Sequence, residues 1–94
     1  MNQTTTKSTG FSLGQIVATP GALRVFSSAF ITQSLGRHAR GDWGDVSKSD
    51  AILNNQSLKD GTRVLSCYKL DDQRLWIITE ADRSSTCCLL PEEY

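Results

Sequence analysis

His38 is the single histidine of the chain, and two aspartates, Asp42 and Asp45, follow it closely. An imidazole beside two carboxylates can hold a hard divalent ion, or the three groups can work as general acid and base. The spacing H-x-x-x-D-x-x-D does not correspond to a metal-binding loop, and a lone histidine near a helix end is usually a cap or boundary residue. The pattern therefore leaves a structural role and a catalytic or metal site open, and it favours the structural role.

The loop around these aspartates places turn residues on both sides of one large aromatic, Trp43. A tryptophan in such a loop can fill the gap between helices and a sheet, while Asp42 and Asp45 accept backbone N–H groups. The alternative is that Trp43 anchors an interface with another protein. We favour the packing interpretation and keep the loop as a candidate binding segment.

A second group of charges, Glu80, Asp82 and Arg83, lies on a polar connection late in the chain. Charged residues on such connections are usually solvated. Arg83 is expected to pair with Glu80, with Asp82 or with the terminal carboxylate of Tyr94, which would fix the chain end to the fold. A hydrolytic site would require this group to converge with the Asp42 loop, and the sequence does not show whether it does.

The three cysteines, Cys67, Cys87 and Cys88, are odd in number, and two of them are adjacent. Neighbouring residues on a strand point to opposite faces, so this pair is a poor clamp for one metal ion. The cysteines fit free thiols in a reducing compartment, which predicts a cytoplasmic protein. No cofactor and no metal are predicted.

Composition limits the classes of protein to which the chain can belong. Its 94 residues, with a mass of 10.3 kDa, suit one small domain. No apolar run reaches the ~20 residues of a membrane span, and no signal peptide is visible. The formal net charge is zero, so a nucleic-acid partner is the least favoured. The charge is split, however, because residues 1–41 carry four bases and no acid, whereas residues 42–94 carry ten acids and six bases.

The first half of the chain reads as a leader, a strand and a broken helix. Residues 1–10 are polar and are predicted to be a disordered leader, followed by a single domain over 11–94. A short strand is expected near 14–18. Thr19 and Pro20 then open a helix as N-cap and first helical residue. We expect this helix to break near 28–32, with Thr32 capping a second helix, and one continuous helix is the alternative.

The second half changes period. Residues 48–60 predict a helix whose thin apolar face consists of Ala51, Ile52 and Leu58. From Thr62 onward the pattern alternates, which predicts three strands at 62–70, 74–80 and 86–90. Short links between them predict an antiparallel meander. The fold class is therefore α+β: a three-stranded antiparallel meander, with a fourth N-terminal strand as an option, packed by two or three short helices.

Several runs of sequence resemble one family. They are LGQIVATPGAL at 13–23, Arg37-His38, GDWGD at 41–45, RVLS at 63–66 with Tyr68, LWIITEADRS at 75–84 and LLPEEY at 89–94. Together they resemble the small plasmid-related proteins of proteobacterial mobile elements, some labelled as a type I restriction subunit. The resemblance implies an accessory factor of a mobile element and supplies no catalytic residues. A methyltransferase subunit would need a cofactor-binding domain, and the chain lacks the glycine-rich motif that is typical of such a domain.

These observations predict a non-enzymatic protein-binding accessory factor, with inhibition of a host CRISPR or restriction complex by stoichiometric binding as the specific hypothesis. The candidate binding residues are Asp42, Trp43, Asp45, Glu80, Asp82 and Arg83. One alternative is a small metal-dependent hydrolase or nuclease built on His38 and the carboxylates. Another is a regulatory or structural homodimer in which an exposed edge strand, such as 86–90, pairs across a two-fold axis. The oligomeric state is thus left as monomer or homodimer.

Overall fold

The computed structural model describes residues 11–94, so the predicted leader at 1–10 lies outside the described residues. The fold is α+β, as predicted, and it includes the optional N-terminal strand. In chain order the elements are β1 (Gln15–Ala18), α1 (Pro20–Val25), α2 (Ser28–Ala39), α3 (Lys48–Asp60), β2 (Val64–Leu70), β3 (Gln73–Thr79), β4 (Ser85–Leu89) and a final 3-10 turn (Pro91–Glu93).

The four strands form one mixed sheet in the order β1-β4-β3-β2. The pairs β2–β3 and β3–β4 are antiparallel and make the predicted meander, whereas β1 runs parallel to β4. The chain can enter β1 only through a glycine, because Gly14 has φ +62° and a Cβ there would lie 2.4 Å from the Ser84 carbonyl carbon. Strand β4 is therefore interior. The prediction that 86–90 is an exposed edge is wrong, since β1 occupies that side.

The predicted broken helix is present, but the break lies earlier than 28–32. The Thr19 hydroxyl accepts the N–H of Ala22 at 3.1 Å and begins α1, as expected. The Ser27 hydroxyl accepts the N–H of Phe30 at 3.1 Å and begins α2. Thr32 consequently lies inside α2 and caps nothing. A serine that can satisfy the first free N–H groups of a helix decided the position of the break.

One face of the sheet packs against α1 and α2, and this side holds the hydrophobic core. The buried core side chains are Ala22, Phe26, Ile31, Tyr68, Leu75, Ile77, Cys88 and Leu90. The opposite face is covered mainly by the chain end, where the Tyr94 ring lies 5.6 Å from the ring of Trp76. Within residues 11–94, no helix is both long and apolar enough to cross a membrane.

Helix α3 has the predicted bounds but contacts the fold through a different face. Ile52 and Leu58, expected to be its apolar contact face, are exposed, whereas Asn54 and Ser57 are buried. The reason is where α3 lies, beside the edge of β2. The Asn54 amide donates to the Leu65 carbonyl at 2.8 Å and accepts the Leu65 N–H at 3.2 Å. A strand edge offers backbone polar groups, so polar side chains make the contact.

Candidate functional site

The loop after α2 is fixed by its own acidic residue. The Asp42 carboxylate accepts two bonds from the Arg37 guanidinium, at 2.7 and 3.2 Å, and one from the Gly44 N–H at 3.2 Å. The hydrogen bond from Arg37 is the main reason that the pKa of Asp42 lies below its usual range. Both oxygens are therefore occupied within the loop, as the structural interpretation predicted.

Trp43 fills the space between α2, α3 and the sheet. Its side chain is buried, and its indole N–H donates to the Asn55 amide oxygen at 3.0 Å. The ring also lies 5.8 Å from the His38 ring. A tryptophan whose surface and polar atom are both used internally is unavailable to a partner in this conformation, which agrees with the packing interpretation.

Asp45 closes the loop through its backbone, and its carboxylate is held less tightly than that of Asp42. Its backbone N–H donates to the Cys67 carbonyl at 2.6 Å, and its carboxylate is 3.8 Å from the Lys69 ammonium. Both side chains are about half exposed. Such an ion pair contributes little to stability, so Asp45 can exchange Lys69 for a group on another molecule.

The second predicted cluster is a turn tied down by its arginine. Arg83 has φ +61° and donates to three backbone carbonyls: Thr62 at 2.7 Å, Ser57 at 3.0 Å and Glu80 at 3.1 Å. The expectation that Arg83 pairs with the carboxylate of Glu80, of Asp82 or of the chain end is wrong, because its guanidinium binds backbone carbonyls instead. A guanidinium has five N–H donors, so this one side chain can link the last turn of α3, the segment before β2 and the end of β3.

The two remaining acids face solvent. Glu80 is 3.5 Å from the Arg63 guanidinium, which also donates to the Tyr94 hydroxyl at 2.6 Å. Asp82 accepts the Ser84 N–H at 3.0 Å, and hydrogen bonds from Ser84 lower its pKa. Neither acid is aimed into a cavity shared with the other cluster.

The two clusters do not converge. Gly44 pairs with Cys67 in the middle of β2, whereas the Glu80 carboxylate lies beside Arg63 just before β2 begins. Four residues of extended strand separate these points, about 13 Å. Over residues 11–94 no group of three His, Cys, Asp or Glu side chains is arranged to hold a metal ion. The convergence that the hydrolase hypothesis requires is thus not found.

His38 is fully buried and lies at the centre of a polar line through the core. Its Nδ1 is 2.5 Å from the Ser66 hydroxyl, and its Nε2 is 2.9 Å from the Thr79 hydroxyl. Thr79 is in turn 2.7 Å from the Thr86 hydroxyl, which donates to the Leu13 carbonyl at 2.7 Å. The line therefore runs from α2 across three strands to the segment before β1.

The Leu13 carbonyl fixes every hydrogen of this line, because a carbonyl only accepts. Thr86 donates its one hydroxyl hydrogen to the Leu13 carbonyl, so Thr79 must donate to Thr86. Thr79 can then only accept from His38, which places the imidazole proton on Nε2. The remaining ring atom, Nδ1, accepts the Ser66 hydroxyl hydrogen. All members are satisfied by one neutral tautomer.

The surroundings of His38 keep it neutral. Burial, with a smaller contribution from the positive charge of Arg83, lowers its pKa to about 4. The rings of Phe11 and Trp43 stand edge-on to it at 5.3 and 5.8 Å. Both nitrogens are bonded and no surface is exposed, so this histidine does not reach a substrate as an acid or base in this conformation.

The thiols are also poor nucleophiles. All three cysteines are free. Burial raises the pKa of each thiol, and that of Cys88 reaches about 12. A thiol that stays protonated at neutral pH has little reactivity, because the thiolate is the nucleophile.

One opening lies on the sheet face away from α1 and α2. A groove of about 410 Å³ runs between the Asp45 loop, the start of α3 and strands β2 and β3. Its lining includes Leu65, Cys67, Trp76 and Pro91 as apolar members and Asp45, Asp50 and Arg74 as charged members. A second hollow of about 240 Å³, lined by Leu53, Asn54, Ser57 and Arg63, shares Asp50 and Leu65 with it.

Sequence reasoning found only Asp45 among the groove residues and missed Asp50, Arg74 and Trp76. A signal was present, because the alternation that buries Ser66 and Ile77 also places Leu65, Cys67 and Trp76 on the second face. An apolar second face in a small sheet with few helices predicts an open surface.

These contacts account for the six predicted residues by geometry alone. Asp42, Trp43 and Arg83 make internal contacts, Glu80 and Asp82 are solvated, and Asp45 faces the groove. The resemblance to the plasmid-related family stays a prediction from the sequence. Comparison of the chain with protein-family models, curated proteins and solved structures found no match.

Proposed function

We propose that this protein is a non-enzymatic binding module that acts as an accessory factor by occupying a surface of another protein. The observation that carries the proposal is the groove beside β2, which has an apolar floor and a charged rim. Interfaces between proteins combine these features in the same order, an apolar centre inside a polar border. Among the other candidate residues, His38, Asp42, Trp43 and Arg83 are engaged in internal hydrogen bonds.

The charges on the rim select the partner. Asp45 and Asp50 line the groove together with one arginine, Arg74, and the floor between them includes Trp76. The matching surface offers a basic group to the aspartates, an acidic group to Arg74 and an apolar side chain to the floor. Such a pattern orients a partner through charge and holds it through burial.

The partner class follows from the sequence resemblance. An accessory protein of a mobile element that binds without turnover can disarm a host complex by covering a working surface. We therefore propose a component of a host CRISPR or restriction complex as the partner, bound in a fixed stoichiometry. Inhibition then depends on the amount of the protein rather than on time.

Affinity capture with groove variants tests the proposal. Asp45→Arg and Arg74→Glu reverse rim charges, and both side chains are exposed, so the fold is retained. Lys59→Glu reverses a charge on the exposed far end of α3 and is the matched control. We expect capture from host lysate, identified by mass spectrometry, to recover a defence component. The two rim variants should weaken its binding by about tenfold or more, and the control should not.

A transformation assay supplies the functional measurement. Cells with an active CRISPR or restriction system should accept targeted DNA more often when the wild-type protein is expressed, and the Asp45→Arg variant should lose this effect. A captured partner outside host defence would retain the binding module and remove the defence hypothesis. Equal capture by the wild type and the rim variants would refute the groove as the binding surface.

A further inference from the structure

The two edge strands of the sheet, β1 and β2, differ in how their outward backbone groups are covered. Along β2, the Leu65 backbone is bonded to the Asn54 side chain. The Cys67 N–H donates to the Trp43 carbonyl at 3.1 Å, and the Cys67 carbonyl accepts from Asp45. These contacts occupy the outward backbone groups of Leu65 and Cys67, which a further strand would need. The β2 edge is therefore closed along this part of the strand.

The β1 edge has no such cover within residues 11–94. The N–H groups of Gln15 and Thr19 donate to the β4 side, to the carbonyls of Ser84 and Cys88. In a parallel pair the backbone groups alternate, so those of Ile16 and Ala18 point away from β4. No described strand pairs with this outer side. The strand carries none of the lysines, internal prolines or bulges that usually protect an edge.

The side chains of this edge are apolar and open. Ile16 is 50% exposed and Val17 is 43% exposed. The helix that follows directly, α1, adds Leu23 and Val25, which are also exposed. Four exposed aliphatic side chains thus belong to one short segment.

We propose that β1 pairs antiparallel with β1 of a second copy of this chain, which joins the two sheets into one of eight strands. The absence of charge argues for a second copy. Residues 11–23 contain no Asp, Glu, Lys or Arg. Around a two-fold axis each residue meets its own kind, so a charge at the axis would repel itself, and an uncharged segment removes that penalty. The charged residues of the chain lie outside this segment, so the segment itself has no charge with which to attract a charged partner.

The register follows from the backbone. Gly14 has φ +62° and its N–H already donates to the Ser12 hydroxyl at 3.3 Å, so pairing cannot extend before Gln15. Pro20 has no N–H, so pairing cannot extend beyond Ala18 on the outer side. In the remaining arrangement, Ile16 of each copy both donates a backbone hydrogen bond to Ala18 of the other copy and accepts one from it. The same exchange therefore occurs on both sides of the two-fold axis. Val17 then faces its own copy across the axis.

Mass measurement tests the pairing. Light scattering up to about 1 mM chain should show the wild type approaching twice 10.3 kDa. Ile16→Pro removes an N–H that the single chain does not use, and proline is tolerated at an open edge, so the variant should fold and remain at 10.3 kDa. Ile16→Val keeps the N–H and should dimerise like the wild type. Circular dichroism confirms that both variants are folded.

Cross-linking tests the register. In a Cys87→Ser background, which removes the thiol beside position 17 on β4, Val17→Cys should form a disulfide-linked dimer in a glutathione buffer. Residues facing each other in a pair without hydrogen bonds are ~4.5 Å apart at Cα, within the range that a disulfide spans. Leu70→Cys, equally exposed at the end of β2, is the control and should form no disulfide-linked dimer.

A chain that stays monomeric throughout the concentration range overturns the proposal. So does a dimer that persists in Ile16→Pro and does not cross-link at position 17, because it must form through another surface. The inference does not rest on the groove, since β1 and β2 are opposite edges. Loss of dimerisation and loss of partner capture are separate measurements on separate variants.

Discussion

The polar line through the core and the charged loops at the surface both consist of hydrogen-bonded polar side chains, but they differ in burial and in charge. His38 and its three hydroxyl partners are buried and uncharged, and each hydrogen has one acceptor. Asp42 and Glu80 are about half exposed and are paired with arginines. A buried polar group left without a partner is costly, whereas an exposed ion pair contributes little. Among the residue types that suggest catalysis, the buried ones are therefore expected to contribute more to stability than the exposed ones.

Removal of the buried imidazole should show the largest effect. His38→Ala leaves Ser66 and Thr79 without their partner and opens a cavity beside Trp43. We expect the free energy of unfolding to fall by about 3 to 5 kcal/mol, measured by urea denaturation. Ser34→Ala, one turn earlier on the buried side of α2, is the control and should cost clearly less. Equal losses in both variants would mean that the polar line has no special weight.

Acidification should destabilise the fold through the same residue. The unfolded chain binds a proton at His38 below about pH 6.5, whereas the folded chain does so only near pH 4. Between these values the unfolded state holds more protons, so stability falls as pH falls. We expect a loss of about 2 kcal/mol between pH 7 and pH 5 in urea denaturation. Because His38 is the only histidine, a flat profile would show that it accepts a proton while folded.

A substitution at the far end of the line should have a smaller effect. Thr86→Val keeps the shape but leaves the Leu13 carbonyl and the Thr79 hydroxyl hydrogen without partners, at a cost of about 1.5 kcal/mol. Two-dimensional ¹H–¹⁵N NMR of the wild type should find the His38 proton on Nε2. Protonation of Nδ1 instead would reverse the direction of the whole line.

The exposed pair should show the smallest effect. A double-mutant cycle of Arg37→Ala and Asp42→Ala is expected to give a coupling below about 1 kcal/mol, reduced further by salt, because both side chains are about half exposed. A salt-independent coupling as large as that of the buried line would remove the distinction between the two regions.

The sequence predicted the meander because alternation over 62–90 is a local signal. It also placed the start of α1 correctly, since Thr19 and Pro20 act on the residues beside them. The polar line could not be predicted from the sequence, because His38 lies 28 residues from Ser66 and 41 residues from Thr79. Pairing over such separations is set by how α2 crosses the sheet, which no single segment encodes.

The contact face of α3 and the groove were missed for a related reason. Helical periodicity identifies apolar stripes, but Asn54 is buried because it completes the edge of β2. Likewise, Asp50 and Arg74 face one groove only once α3 lies next to the strands. Trp43 and Arg83, which the sequence analysis named as candidate binding residues, make internal contacts, as the packing interpretation of Trp43 predicted.

The attachment of α3 through amide and hydroxyl groups has a consequence for how the molecule opens. Ile52, Leu53 and Leu58 are already exposed, so separation of α3 uncovers little apolar surface of the helix itself, and we expect local unfolding of α3 to require less free energy than loss of the sheet. Such a fluctuation uncovers the backbone of Leu65 and turns a closed border into a second site for strand addition. The polar contacts of one helix thereby protect this edge of the sheet from the addition of another strand.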